Sequence, residues 1–171
     1  MFKPAAKYYN RPGKLSLKTR VSLRKYASDT DFRANKPYEI SEHWGNTGLN
    51  TGIAKLWDLV TGATDAGYWG TGTLSYVGTG TASTAATATQ TGLLGATQAY
   101  ASQDATYPSR ASQTVTWEGT FTSLIQNAPW LEFTVSNTAT GSGEQICRVV
   151  SDQGVKVSGQ TWQLQIAITM S

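Results

Sequence analysis

Apolar and polar residues alternate strictly over residues 14–24. Leu15, Leu17, Val21 and Leu23 take the odd positions, and Lys14, Lys18, Arg20 and Arg24 the even ones. A period of two describes a strand with one apolar and one cationic face. Two readings of that strand stay open at this level. It is either a basic edge strand, guarded against aggregation by its charges, or a segment whose cationic face meets an acidic partner surface. Residues 1–13, with two prolines, a glycine and Tyr8-Tyr9, show neither a helical nor a strand period, so they read as an extended arm. The arm is taken to run through residues 1–45, with the strand inside it.

The period changes to that of a helix over residues 48–61, where Leu49, Ile53, Leu56, Trp57 and Val60 share one face. Asn46 or Thr47 is the expected N-cap and Gly62 the expected stop. This apolar stripe should pack onto the rest of the domain or onto a neighbouring subunit, with Trp57 in the core. From Leu74 the chain reads as strands and turns. Residues 74–78 form a short strand, and residues 78–92 a low-complexity loop with nothing large to bury. Residues 112–122 alternate Val115, Trp117 and Phe121, and residues 130–137 alternate Leu131, Phe133 and Val135. Residues 145–151 and 155–157 are shorter candidates. The clearest pattern is the last, with Trp162, Leu164, Ile166, Ile168 and Met170 alternating against uncharged partners. Short antiparallel strands separated by Gly, Ser, Thr and Asn turns predict a mainly β chain. Its expected form is an antiparallel β-sandwich or jelly roll over residues 46–171, with one amphipathic helix.

Composition sharpens this picture. Thr, Gly and Ser supply 57 of the 171 residues, which favours pleated surface and turns over helix. The formal net charge of +3 is unevenly spread: residues 1–40 carry ten of the fourteen Lys and Arg against three acids, so they stand at +7 and the remainder at −4. A single Cys (Cys147) excludes an internal disulfide framework, and with one His (His43) it cannot make a Cys/His zinc site. No apolar run approaches a membrane span, and the first residues lack the apolar stretch of a signal peptide, so neither a membrane nor export by a cleaved signal is expected.

Catalytic patterns are weak. His43 is placed in a loop without a nucleophile motif, and Glu118 and Glu132 sit on the polar phase of their strands, where solvated acids are expected. The glycine pairs 70/72 and 78/80 do not form a phosphate loop. Neither an enzyme nor a cofactor is expected. Nucleic-acid binding is the stronger rival, since Tyr8, Tyr9 and Tyr26 interleave with cations. The acidic balance of the remaining chain argues against it.

Several segments follow one another in a telling order. Gly48-Leu49-Asn50 leads to Gly52-Ile53-Ala54-Lys55-Leu56, and Tyr76-Val77-Gly78-Thr79-Gly80 to a Thr/Ala run and Leu93. Then come Val115-Thr116-Trp117 with Thr120-Phe121, Asn127 and Trp130 before Glu132-Phe133, and Arg148-Val149. Lys156 precedes Gln160-Thr161-Trp162 and the terminal alternation. In this order residues 46–171 resemble small structural proteins of tailed bacteriophages, of the virion decoration and fibre type. The resemblance implies a virion role without catalytic residues. A decoration or cement protein would clamp the major capsid protein or another virion protein. Its basic segment would add a strand to the partner's sheet, with Leu15, Leu17, Val21 and Leu23 against it and Lys14, Lys18, Arg20 and Arg24 meeting carboxylates. A fibre or spike component contacting a host receptor is the alternative. Self-association is expected, with a trimer as the first guess.

Overall fold

The computed structural model describes residues 16–45, 47–63, 69–70 and 74–171. Two antiparallel sheets pack face to face as a β-sandwich. The larger has the order β2-β1-β9-β6-β5, built from β1 (Leu17–Tyr26), β2 (Glu39–Gly45), β5 (Ser109–Ala111), β6 (Thr114–Phe121) and β9 (Thr161–Met170). The smaller has the order β4-β3-β7-β8, built from β3 (Tyr76–Gly80), β4 (Gln98–Ser102), β7 (Glu132–Ser136) and β8 (Val149–Val150).

The alternation seen in sequence sets the inner face. Val21, Ile166 and Trp117 lie in one cross-strand row, and Leu23, Leu164 and Gly119 in the next. These side chains meet Val77, Phe133 and Val135 of the smaller sheet in a single core. At its centre Trp130 is fully buried, edge-on to Phe121 at 4.7 Å and to Trp162 at 5.0 Å. Its indole N–H donates to the Gln126 carbonyl at 3.0 Å.

Several expectations are corrected here. The segment from Leu17 to Gly45 is not an arm. β1 pairs with β2 on one edge and with β9 on the other, so strand addition to a partner is closed to it. Val21 and Leu23 are buried in the protein's own core. Between β1 and β2 a second helix, α1 (Asp29–Arg33), starts at Ser28, whose hydroxyl accepts from the Asp31 N–H, and packs Phe32 edge-on to Tyr26. Residues 1–15 lie outside the described residues, and with them Lys14, Leu15 and the expected extended stretch.

The main helix, α2 (Asn50–Thr61), is where the period places it, and Gly62 stops it in the left-handed conformation (φ +71°). Its start differs from expectation. Leu49 occupies the N-cap position with no side-chain cap; its N–H bonds to the Ile146 carbonyl at 3.1 Å, and that of Asn50 to Ala88 at 2.9 Å. The stripe does not face the core either. Leu49 is buried and Leu56 half-buried, but Trp57 is 61% exposed and Val60 75%. The helix instead turns Gly52 inward, where a Cβ would lie 2.5 Å from the Ile146 Cα. Only glycine permits that approach.

A buried amine gives the fold a pH signature. Lys156 is fully buried between the segments at 122–127 and 155–157; its Nζ donates to the carbonyls of Thr122 (2.8 Å) and Ile125 (2.9 Å) and to Asn127 Oδ1 (3.0 Å). Burial lowers its pKa from 10.5 to about 8, against a smaller opposing pull from Asp29. Above about pH 8 the unfolded chain holds this proton and the folded chain does not, so stability rises with pH. Burial acts in the opposite sense on the Cys147 thiol and the Tyr100 phenol, each raised to about 12. Beyond pH 9 to 10 these are protonated only in the folded state, and stability falls. Urea midpoints should therefore climb from pH 8 to about 9 and drop above about 10. The climb should vanish in Lys156→Gln, and a midpoint already falling between pH 8 and 9 would refute the assignment.

Candidate partner interface

Two surfaces outside the core carry chemistry. The first is the outer face of the larger sheet. Because β1 alternates, Lys18, Arg20, Ser22 and Arg24 project from this face, and register sets Trp44 beside Arg20, Glu42 beside Ser22 and Ile40 beside Arg24. Ile40 and Trp44 are each 60% exposed. The Arg20 guanidinium lies 5.9 Å from the centre of the Trp44 ring and 3.4 Å from Glu42, so the three side chains form one surface cluster. Arg24 donates to Gln163 at 3.2 Å and stands 4.0 Å from Glu118.

Beyond β1 the face becomes uncharged, with Gln163, Gln165, Ala167 and Thr169 of β9 followed by Thr116 and Thr120 of β6. Two carboxylates interrupt it: half-buried Asp104, which accepts from Thr120 (2.7 Å) and Gln163 (3.0 Å), and Glu118, which is buried rather than solvated as expected. Gln163 and Gln165 donate to its two oxygens at 3.1 and 2.9 Å. Desolvation raises its carboxyl pKa, the Gln165 bond and Arg24 oppose that, and Asp104 adds to it.

Of the residues expected to bind a partner, Lys18, Arg20 and Arg24 therefore share one accessible face. Leu17, Val21 and Leu23 take the other phase, with Val21 and Leu23 in the core and Leu17 half-buried at the end of the sheet. The exposed apolar groups beside the cations come from β2. Its pattern, Glu39-Ile40-Ser41-Glu42-His43-Trp44-Gly45, mixes charge with apolar residues on one face and gave no strand signal. His43, expected in a loop, is on β2 at the edge of a shallow groove of about 410 Å3 with Thr47, Ser83 and Arg148. Among the described residues no carboxylate hydrogen-bonds to its ring.

The second surface is the connection from β3 to β4, residues 81–97, which contains the Thr/Ala run. It folds back over the smaller sheet and is held there by buried polar side chains. Glu132, on the strand phase expected to face water, is fully buried. Its carboxylate accepts from the N–H groups of Gly95 (2.7 Å), Leu94 (3.0 Å) and Ala82 (3.3 Å), and from Arg148 Nε at 2.7 Å. Arg148, equally buried, passes Nη1 to the Thr84 carbonyl and to Gln90 Oε1, both at 2.9 Å. Gln145 adds a bond from the Leu93 N–H at 2.9 Å and donates to the Tyr100 hydroxyl at 3.0 Å. The exposed tip, with Ser83, Thr84, Thr87 and Thr89, is thus presented on a rigid base.

No protein-family profile, no characterised protein and no solved structure matches this chain.

Proposed function

We propose that this protein is a virion structural protein of a tailed bacteriophage, a decoration or cement protein that binds the capsid surface. The outer face of the five-stranded sheet, rather than an added strand, makes the attachment. The observation that carries this reading is the combination of exposed Trp44 and Ile40 with Lys18, Arg20 and Arg24 on one flat face. Aromatic and Arg anchors flanked by charge suit an acidic protein surface, since they supply both desolvated area and steering. Arg20 has Glu42 beside it and Arg24 has Glu118, which matches a protein partner with mixed charges better than the continuous phosphates of nucleic acid. The resemblance of the order of segments in residues 46–171 to that of small phage structural proteins points the same way.

The test is binding to source particles stripped of this protein. Trp44→Ser with Ile40→Ser should weaken binding by about 10- to 100-fold, as expected for a central aromatic anchor. Lys18→Gln with Arg24→Gln should weaken it less and flatten its salt dependence. Unchanged binding by the Trp44/Ile40 variant, or competition by added nucleic acid, would remove this reading. A fibre or spike component contacting a host receptor is the second reading, favoured by the pinned 81–97 loop. It requires Ser83, Thr87 and Thr89 to affect cell attachment without affecting particle binding.

A further inference from the structure

The apolar stripe of α2 faces outward because the helix commits Gly52, rather than a large residue, to the core. Ile53, Trp57 and Val60 stand at spacings of four and three on a single exposed face. Beside them runs an open groove of about 310 Å3, lined by Leu17, Ile53, Leu56, Trp57, Val60 and Met170, none of them charged. The chain enters the fold at the wall of this groove. Ser16 exchanges backbone hydrogen bonds with Ser171 (2.6 and 3.0 Å), Leu17 pairs with Met170, and a Cβ at Gly48 would touch both Leu17 and Ile53. β1 thus begins beside the first turn of α2.

We infer that residues 1–15 of the same chain cover this groove as a strap along α2, with Leu15 at the near end and Tyr8 and Tyr9 at the far end. Leu15 shares the phase of Leu17, whose side chain already lines the groove. An extended chain advances ~3.3 Å per residue, so Tyr8 and Tyr9 can reach up to about 25–30 Å from Leu17, whereas the stripe from Ile53 to Val60 is only about 10 Å long. The reach is ample. Charge agrees with the placement: residues 1–15 hold Lys3, Lys7, Arg11 and Lys14 and no acid, while the last turn of α2 has no basic residue, carries Asp58 and ends in carbonyls that favour cations. Among the described residues Asp58 makes no ion pair. Pro4 and Pro12 suit a strap, since neither can continue a helix.

Tethering also removes the difficulty of size. A handful of exposed side chains offers less than the ~800 Å2 per partner that separate molecules need for a stable complex. A segment joined to β1 meets the groove at an effective concentration in about the millimolar range, so a contact too weak to hold a free partner is still occupied. The inference does not depend on the phage reading.

Thiol labelling of the full chain with iodoacetamide tests it. Val60→Cys puts a reporter on the stripe, and Cys147 stays silent because it is fully buried, with its thiol pushed up to about 12. Adding Tyr8→Ser, Tyr9→Ser and Leu15→Ser should speed labelling of the Val60→Cys chain about tenfold, since a groove covered nine-tenths of the time is open only for the rest. Far-UV circular dichroism should not change. Asp58→Asn should give a smaller acceleration in the same direction. Leu124→Cys, 83% exposed in the β6–β7 connection, is the control, and its rate should ignore all of these changes. A Val60→Cys rate unmoved by the triple change, or an equal acceleration at Leu124→Cys, would overturn the inference. So would protection that grows with protein concentration from about 10 μM to about 1 mM, because the groove would then belong to a second copy.

Discussion

Replacing Arg148 by Ala should lower the unfolding free energy by about 3–5 kcal/mol, because it strands the Glu132 carboxylate in a site with no access to water. In many proteins a buried ion pair can be exchanged for two apolar residues at little cost. Here that exchange should fail. Glu132 also receives three backbone N–H groups of the 81–97 loop, and Arg148 holds the Thr84 carbonyl, so Glu132→Leu with Arg148→Met would orphan buried backbone as well. The double variant should be at least as unstable as Arg148→Ala in urea titrations. Hydrogen exchange should show the amides of Ala82, Leu94 and Gly95 losing protection beyond that of the strands. A double variant close to the parent in stability would mean that the loop is held by something other than this pair.

The second large effect lies in the core. Trp130→Ala should cost about 3–5 kcal/mol, since it opens a cavity between three aromatic rings that belong to both sheets. Trp130→Phe fills most of that volume and removes one of the two hydrogen bonds that the Gln126 carbonyl accepts, the Ala128 N–H remaining at 3.0 Å, and should cost roughly 0.5–1.5 kcal/mol. Urea unfolding followed by near-UV circular dichroism separates the two. A Trp130→Ala loss below about 1 kcal/mol would show that the sheets do not close on this side chain.

How much of this was legible follows from what periodicity can report. Strands β6, β7 and β9 and the Gly62 stop were readable because each announces itself over a few consecutive residues. Within the described residues, the alternation from Leu17 to Arg24 was also read with the right phase. Period two states that one face is apolar, however, and not whose core receives it, and here β9, some 140 residues further along the chain, receives it. β2 was missed because Ile40 and Trp44 lie on the solvent face, so its apolar signal has the phase of a surface. β5, at three residues, was too short to register, and β4, Gln98–Ser102, has only Tyr100 as a large side chain and so shows no alternation.

Glu132 was misjudged, and Arg148 given no role, for a related reason. A polar residue on the outer phase of a strand faces water unless another segment returns over it, and a Thr/Ala-rich loop gives no local sign of returning. The α2 stripe was found but turned the wrong way, since the inward face is chosen by the absence of a side chain at Gly52 rather than by the presence of apolar ones. The cationic half of the candidate interface was legible, and its aromatic half was not.

The pairing of β1 with β9 has a consequence for how the molecule comes to exist. β9 is the central strand of the larger sheet, lying between β1 and β6, and it is synthesised some 140 residues after β1. Until then β1 and its hairpin partner β2 have an apolar face and no place to put it. The smaller sheet, by contrast, joins segments made close together in time. Contacts between distant parts of a chain are slow to form, so assembly of the larger sheet waits on this ten-residue strand, and nascent chains in that interval are exposed to aggregation. Charges beside an apolar strand oppose such aggregation, and Lys18, Arg20 and Arg24 along β1 are placed on the face of the hairpin opposite Val21 and Leu23.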